Sequence, residues 1–366
     1  MPNIEEQIRE VEEEIRRTDY NKKTQHHIGL LKAKLARLRM ESEKRRKAQG
    51  GGEGYAVRKT GNATVALVGF PSVGKSTVLN KITNASSEVA AYAFTTLTVV
   101  PGLLEYRGAR IQVLDLPGLI RDASKGKGRG REVLSVVRAA DLIVLLTDVF
   151  EPNISVLLDE LHAAGIRPNQ SPPRIQIVKK VRGGISVSYT VSHPTLSPDD
   201  VRSILNEFGY YNADVVIREN ADADRLIDAL AGSRVYIPLF LCINKIDLVG
   251  EEKRRQLIER FAGFRPVLIS AETGEGLAEL KERIFEELRF VRVYMKPPGG
   301  EADMKEPLLV REGSTVADVC DFIHRDLRKK FRYALMWGPS SRFPGQIVGQ
   351  EHVVMDGDIL TIVARK

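Results

Sequence analysis

Three short runs in this 366-residue chain have residue types and spacings suited to nucleotide chemistry. Gly69-Phe70-Pro71-Ser72-Val73-Gly74-Lys75-Ser76 has the form G-x-x-x-x-G-K-[ST], directly after one apolar stretch and before a helical one. Glycines in such a run let the backbone wrap phosphates, so that successive N–H groups and a helix N-terminus face negative charge. Lys75 would reach the β- and γ-phosphates, and the Ser76 hydroxyl would hold Mg²⁺. The whole run from Gly69 through Phe70, Pro71, Ser72, Val73, Gly74, Lys75, Ser76 and Thr77 is expected to line the nucleotide.

Asp115-Leu116-Pro117-Gly118 closes another apolar stretch. Asp115 can hold Mg²⁺ through water, and the Gly118 N–H can sense the γ-phosphate. Upstream, Phe94, Thr95 and Thr96 belong to a hydroxyl-bearing run. Thr96 is the expected metal ligand there, bound only while the γ-phosphate is present. Lys75, Thr96 and Gly118 are therefore the expected catalytic groups, with Ser76, Thr96 and Asp115 around the metal.

Neither run separates ATP from GTP. Asn244-Lys245-Ile246-Asp247 does, because a carboxylate at Asp247 can accept from both N1–H and the exocyclic amine of guanine. Adenine offers neither donor in that arrangement, and sites built on such hydrogen bonds discriminate by about 10⁴-fold. Asn244 would support the phosphate loop and the base, while the Lys245 stem covers a ring face. Ser270-Ala271 would add a backbone N–H to guanine O6. One departure bears on rate: Leu119 follows Gly118, where Ras-like proteins place the glutamine that orients the attacking water. Leucine cannot polarise water, so the backbone, another switch residue, a cation or a partner must help. The basic, glycine-rich run Lys125–Arg131 reads either as a phosphate-sensing segment or as a solvated loop.

The elements that must position these residues alternate. Thr64–Val68, Ile111–Leu114, Leu142–Thr147, Leu239–Ile243 and Pro266–Ile269 are short apolar strands separated by helical stretches, which predicts a doubly wound, mainly parallel α/β sheet. Ile175–Val181 and Ile185–Val191 read as an antiparallel hairpin across Arg182-Gly183-Gly184. A helix over Pro198–Phe208 follows, with Ser197 as N-cap. Before the sheet, Ile4, Ile8, Val11 and Ile15, then Leu31, Leu35 and Leu38, mark two helical arms. Residues 1–20 carry seven acidic and three basic side chains and residues 21–50 two and ten, so the arms would attract as a hairpin. The predicted domains are a helical hairpin and linker over 1–60, a GTPase domain over 61–165 and 236–290, an inserted small β-rich α+β domain over 166–235, and a last unit over 291–366. That last unit reads as strand, helix (Val316–Leu327), then short strands.

Composition excludes little. Hydrophobic content of 43% and charged content of 28% suit a soluble globular protein. The longest apolar run, Val235 to Ile243, contains Pro238 and is too short to cross a bilayer. Two distant cysteines without C-x-x-C spacing point to a reducing, cytoplasmic setting. The net charge of +7 is compatible with contact to a polyanion such as RNA.

GFPSVGKST (Gly69–Thr77), YAFTTL (Tyr92–Leu97), DLPG, NKID and SAETG resemble the Obg-like translation-factor GTPases, and within them the developmentally regulated GTP-binding proteins. The resemblance covers nearly the whole chain and implies a C-terminal TGS domain of ubiquitin-like, β-grasp fold over 291–366. It also implies GTP and GDP as ligands, hydrolysis with Mg²⁺, and a role in translation on the ribosome or ribosomal RNA. A small zinc-finger-containing partner is implied by the same resemblance, and a monomeric chain with no membrane partner is expected. K⁺ activation is left open, since Ser72 stands where several relatives place the Asn that binds K⁺. A competing reading makes the chain chiefly a ribosome-binding module with GTP as a regulatory ligand. A tRNA-modifying enzyme would need a second catalytic constellation, which the sequence lacks.

Overall fold

The computed structural model describes residues 3–19, 21, 24–48, 61–83, 100–116, 130–150 and 153–365. Helices α1 (Ile4–Arg17) and α2 (Gln25–Ala48) form the expected hairpin. Val11, Leu31 and Leu38 are buried along its seam, joined by Ile8, Ile15 and Leu35. Glu12 accepts from Arg39 at 2.7 Å, so opposite charges do meet, and Glu14 lies 3.1 Å from His27. Such pairs, still open to solvent, contribute about 1 kcal/mol or less each, and the apolar seam decides the pairing. The glycine-rich linker over 50–54 lies outside the described residues.

Next come β1 (Ala63–Gly69), α3 (Lys75–Ile82), β2 (Val100–Tyr106), β3 (Ala109–Asp115), α4 (Gly130–Arg138), β4 (Leu142–Asp148) and α5 (Ser155–Ala163). The inserted segment holds β5 (Ile166–Pro168), β6 (Ile175–Lys179), β7 (Ile185–Tyr189), α6 (Pro198–Glu207), β8 (Ala213–Ile217), α7 (Ala223–Ala231) and β9 (Val235–Ile237). Then β10 (Leu239–Asn244), α8 (Glu251–Arg260), β11 (Val267–Leu268) and α9 (Leu277–Glu287) complete the large sheet. Its strand order is β11-β10-β4-β1-β3-β2. All neighbours are parallel except β2 and β3, so the α/β doubly wound class read from the sequence holds. β1, β4 and β10 are buried along their whole length, as continuous apolar strands covered on both faces must be.

Strand β2 escaped the sequence reading because it contains Pro101 and Gly102. Both are accommodated at a sheet edge. A Cβ on Gly102 would come within 2.6 Å of the Thr83 side chain and 2.8 Å of that of Leu79, so helix α3 packs directly on this backbone. The apolar run from Val235 to Ile243 does not form one strand. Pro238 splits it into β9, which pairs with β5, and β10.

The contacts divide the chain into two compact units, 1–54 with 165–236 and 55–164 with 237–366. In the first, α2 packs on the insert: Ala33 and Ala36 share a buried cluster with Val201, Leu205, Val215 and Leu226. His26 meets Asp200, and Lys32 donates to Asp224 at 2.6 Å. Ser197 caps α6 with Asp200 as the reciprocal partner, as expected. The predicted β6–β7 hairpin is overturned, because β8 lies between them, antiparallel to β6 and parallel to β7. Residues 180–184 instead step over the start of β8. Lys180 N–H donates to Asn212 O at 2.9 Å, and Ala213 N–H donates to Gly184 O at 3.1 Å. The alternation of β8, with Ala213, Val215 and Ile217 buried, secures the central place.

In the second unit, the C-terminal sheet is built from β12 (Phe290–Met295), β13 (Leu308–Arg311), β14 (Phe331–Trp337), β15 (Gln346–Val348) and β16 (Asp358–Ala364), with helices α10 (Val316–Ile323) and α11 (Arg325–Lys330). Strand order is β13-β12-β16-β14-β15, with β12 parallel to β16. Val293, Val316, Val319, Cys320, Ala334, Met336 and Leu360 form its core. The single helix expected over Val316–Leu327 breaks at His324, whose backbone is extended and whose Nδ1 accepts the Asp326 N–H at 3.2 Å. Among the described residues, no helix is long and apolar enough to cross a membrane.

Candidate functional site

The phosphate loop joins β1 to α3. Ser72 and Gly74 both have left-handed backbones, at φ 65° and 95°. The two motif glycines are fixed by close approaches. A Cβ on Gly69 would lie 2.3 Å from Leu146 O, and one on Gly74 would lie 2.4 Å from Asn244 Nδ2. Val73 is buried, Pro71, Ser76 and Thr77 are exposed, and Phe70 packs partly against the core. Lys75 is 8% exposed, and its ammonium donates to Gly69 O at 3.1 Å and Phe70 O at 2.9 Å. Burial pushes the Lys75 pKa below its ordinary range, with Asp115 opposing. An anion bound in the loop would reverse part of that burial cost by pairing the ammonium.

The Ser76 hydroxyl donates to Asp115 Oδ2 across a short contact. These two expected metal ligands, from α3 and the end of β3, therefore sit side by side. A hydroxyl and one carboxylate are hard oxygen donors that leave room for phosphate and water, which fits Mg²⁺. Phe94, Thr95, Thr96 and Gly118, with Leu119 and residues 125–129, lie outside the described residues.

Asn244, at the end of β10 and 3% exposed, is the joint of the site. Its Nδ2 donates to Val73 O and its Oδ1 accepts the Ala271 N–H, both at 2.9 Å. One buried amide thus ties the phosphate loop to the Ser270-Ala271 loop. The N–H that sequence reasoning offered to guanine O6 is, at Ala271, already held by Asn244. Ser270 is buried and works as scaffold, its Oγ accepting the Thr273 N–H at 3.1 Å.

Lys245 is left-handed at φ 65° and opens a single 3₁₀ turn, Ile246–Leu248. Ile246 N–H donates to Ile269 O at 3.2 Å, and Arg254 donates to Ile246 O at 2.9 Å while pairing with Glu275 at 2.8 Å. The turn is thereby braced from both sides, leaving Asp247 exposed at its surface. Sequence reasoning missed these braces, and also Asp148, which pairs with Lys245 at 2.7 Å. The only signal for Asp148 was an acid ending a largely apolar strand.

Comparison with known proteins agrees with this geometry. Residues 64–180 match the profile of a 50S ribosome-binding GTPase, residues 182–290 that of the region C-terminal to such a domain, and residues 291–364 that of a TGS domain. An uncharacterized GTP-binding protein of Methanocaldococcus jannaschii is 54% identical, over 99% of this chain and 93% of its own. The developmentally-regulated GTP-binding protein 1 of Xenopus laevis is 46% identical over 98% of each chain. Developmentally-regulated G-protein 3 of Arabidopsis thaliana is 43% identical over the full length of both.

Proposed function

The chain belongs to the family of developmentally regulated GTP-binding proteins and is a GTPase with a TGS domain, and from that premise we propose a Mg²⁺-dependent nucleotide switch acting in translation, on or near the ribosome, in the cytoplasm. The observation that carries the nucleotide part is the Asn244 bridge, which brings the guanine-reading loop and the phosphate loop into one site. The Ser76–Asp115 pair supports the metal. For the ribosome, the support is the ribosome-binding description of the GTPase profile and a basic run on the TGS domain.

Hydrolysis by the isolated protein is expected to be slow. Leu119 occupies the position of the water-orienting glutamine, and intrinsic Ras-like rates are on the order of 10⁻⁴ s⁻¹ even with it. Phosphate release under multiple turnover, with and without ribosomes, tests this. Acceleration by ribosomes supports the reading, whereas turnover near 1 s⁻¹ by the protein alone with Na⁺ would show a complete catalytic set already in the chain.

The basic run His324–Arg332 spans α11 and the first residues of β14. Arg328 pairs with Asp321 at 2.5 Å, while Lys329 and Lys330 are exposed. Replacing Arg328, Lys329 and Lys330 with Ala is expected to lower ribosome co-sedimentation and flatten its salt dependence, because phosphate contacts release counterions. Nucleotide affinity should hold, the site from Gly69 to Ala271 being built elsewhere. Unchanged co-sedimentation across a salt series would return these side chains to the role of an ordinary solvated face.

A further inference from the structure

Lys245 is held at both ends. At the backbone end, its left-handed conformation sits between the two hydrogen bonds of Asn244 and the Ile246–Ile269 bond. At the other end, its ammonium donates to Asp148 Oδ2 at 2.7 Å and lies 5.8 Å from the centre of the Phe150 ring. Asp148 closes β4 directly opposite Asn244 in the parallel register, so the partner of the lysine is set by the sheet itself. Its carboxylate is oriented too, because Oδ1 accepts the Phe150 N–H at 3.1 Å. The Asp148 side chain is 12% exposed and that of Lys245 31%, which sets this pair apart from a freely solvated one.

Between those two anchors only the aliphatic stem is left, in the motif position that faces a base. A stem free to rotate would lose its rotamer freedom whenever a ring docked on it, and a stem already pinned loses little. We propose that Asp148 is a positioning residue for the base: by fixing the Lys245 ammonium, it holds the stem flat against one face of the guanine ring. Affinity for the nucleoside then depends on Asp148, whereas affinity for the phosphates alone does not. This rests on the guanine reading of the same loop.

The test uses the full chain with GDP and inorganic pyrophosphate as probes, in the wild type, Asp148→Ala, Asp148→Asn, Lys245→Ala and the double variant Asp148→Ala/Lys245→Ala. Asp148→Ala is expected to weaken GDP about tenfold, mostly through faster release, and to leave pyrophosphate within about twofold. Asp148→Asn keeps an acceptor for Phe150 but loses the charge, and should fall between. In the Lys245→Ala background, removing Asp148 should cost nothing further, since the two act through one stem. Two results would overturn the proposal: single losses that multiply in the double variant, or a loss for pyrophosphate as large as that for GDP. Failure of the guanine reading would show differently, as a wild type that binds ADP as tightly as GDP.

Discussion

Asp247→Asn is expected to turn the protein from guanosine to xanthosine nucleotides. The carboxylate of Asp247 lies exposed on the 3₁₀ turn that follows Lys245, the position from which it can accept both N1–H and the 2-amino group of guanine. An asparagine amide presents a donor to one of those donors, while xanthine offers a carbonyl in place of the amine. With one favourable pair removed and a clash of donors added, GDP affinity should fall by roughly 10³-fold, about 4 kcal/mol. XDP should then displace a fluorescent guanosine nucleotide better than GDP does. The braces from Arg254 and Ile269 do not involve the carboxylate, so the fold should be unaffected. Full retention of GTP preference in that competition would mean that base recognition lies elsewhere.

Gly74→Ala should be nearly as damaging, for a steric reason. Alanine at φ 95° costs about 1–2 kcal/mol by itself. Its Cβ would also sit 2.4 Å from Asn244 Nδ2, so the amide must move. That movement breaks the bonds to Val73 O and from Ala271 N–H, each a buried group whose loss costs about 1–3 kcal/mol. Summed, the strain and the two bonds come to about 3–8 kcal/mol against the binding-competent loop, so nucleotide affinity should fall by at least roughly 10²-fold. The far-UV circular dichroism should stay near that of the wild type, because the change falls at the N-cap of α3 and outside the body of that helix and of β1. Binding of GDP within threefold of wild type would show that the Asn244 bridge is dispensable.

Legibility in the sequence followed how local each signal was. The phosphate loop, the strands β1, β4 and β10, and the Ser197 N-cap are set by residues within a few positions of one another, and all are where the sequence places them. The order of strands in the insert was not local. Period-two alternation in Ile175–Lys179 and Ile185–Tyr189 says strand but does not say neighbour, and β8 claimed the place between them. The break at His324 likewise depends on one side chain capping the turn that follows it. In the site, Asn244 and Asp247 came with a motif, whereas Asp148 has none and is recognisable only once β4 lies against β10. The use of the Ala271 N–H by Asn244 was hidden for the same reason.

The pairing of α2 with the insert has a consequence for synthesis. Its contacts bridge 174 residues between His26 and Asp200 and 192 between Lys32 and Asp224. A chain emerging N-terminus first therefore exposes the Ala33–Ala36 face of α2 long before α6 and α7 exist to cover it. In the interval, β1, β3 and β4 can already associate, but β10, the neighbour of β4 on its other side, follows the insert in the chain. Loop closure over such separations is slow compared with the formation of a helical hairpin. The nascent N-terminal arm must therefore wait, with the Ala33–Ala36 face of α2 uncovered, until α6 and α7 have been made.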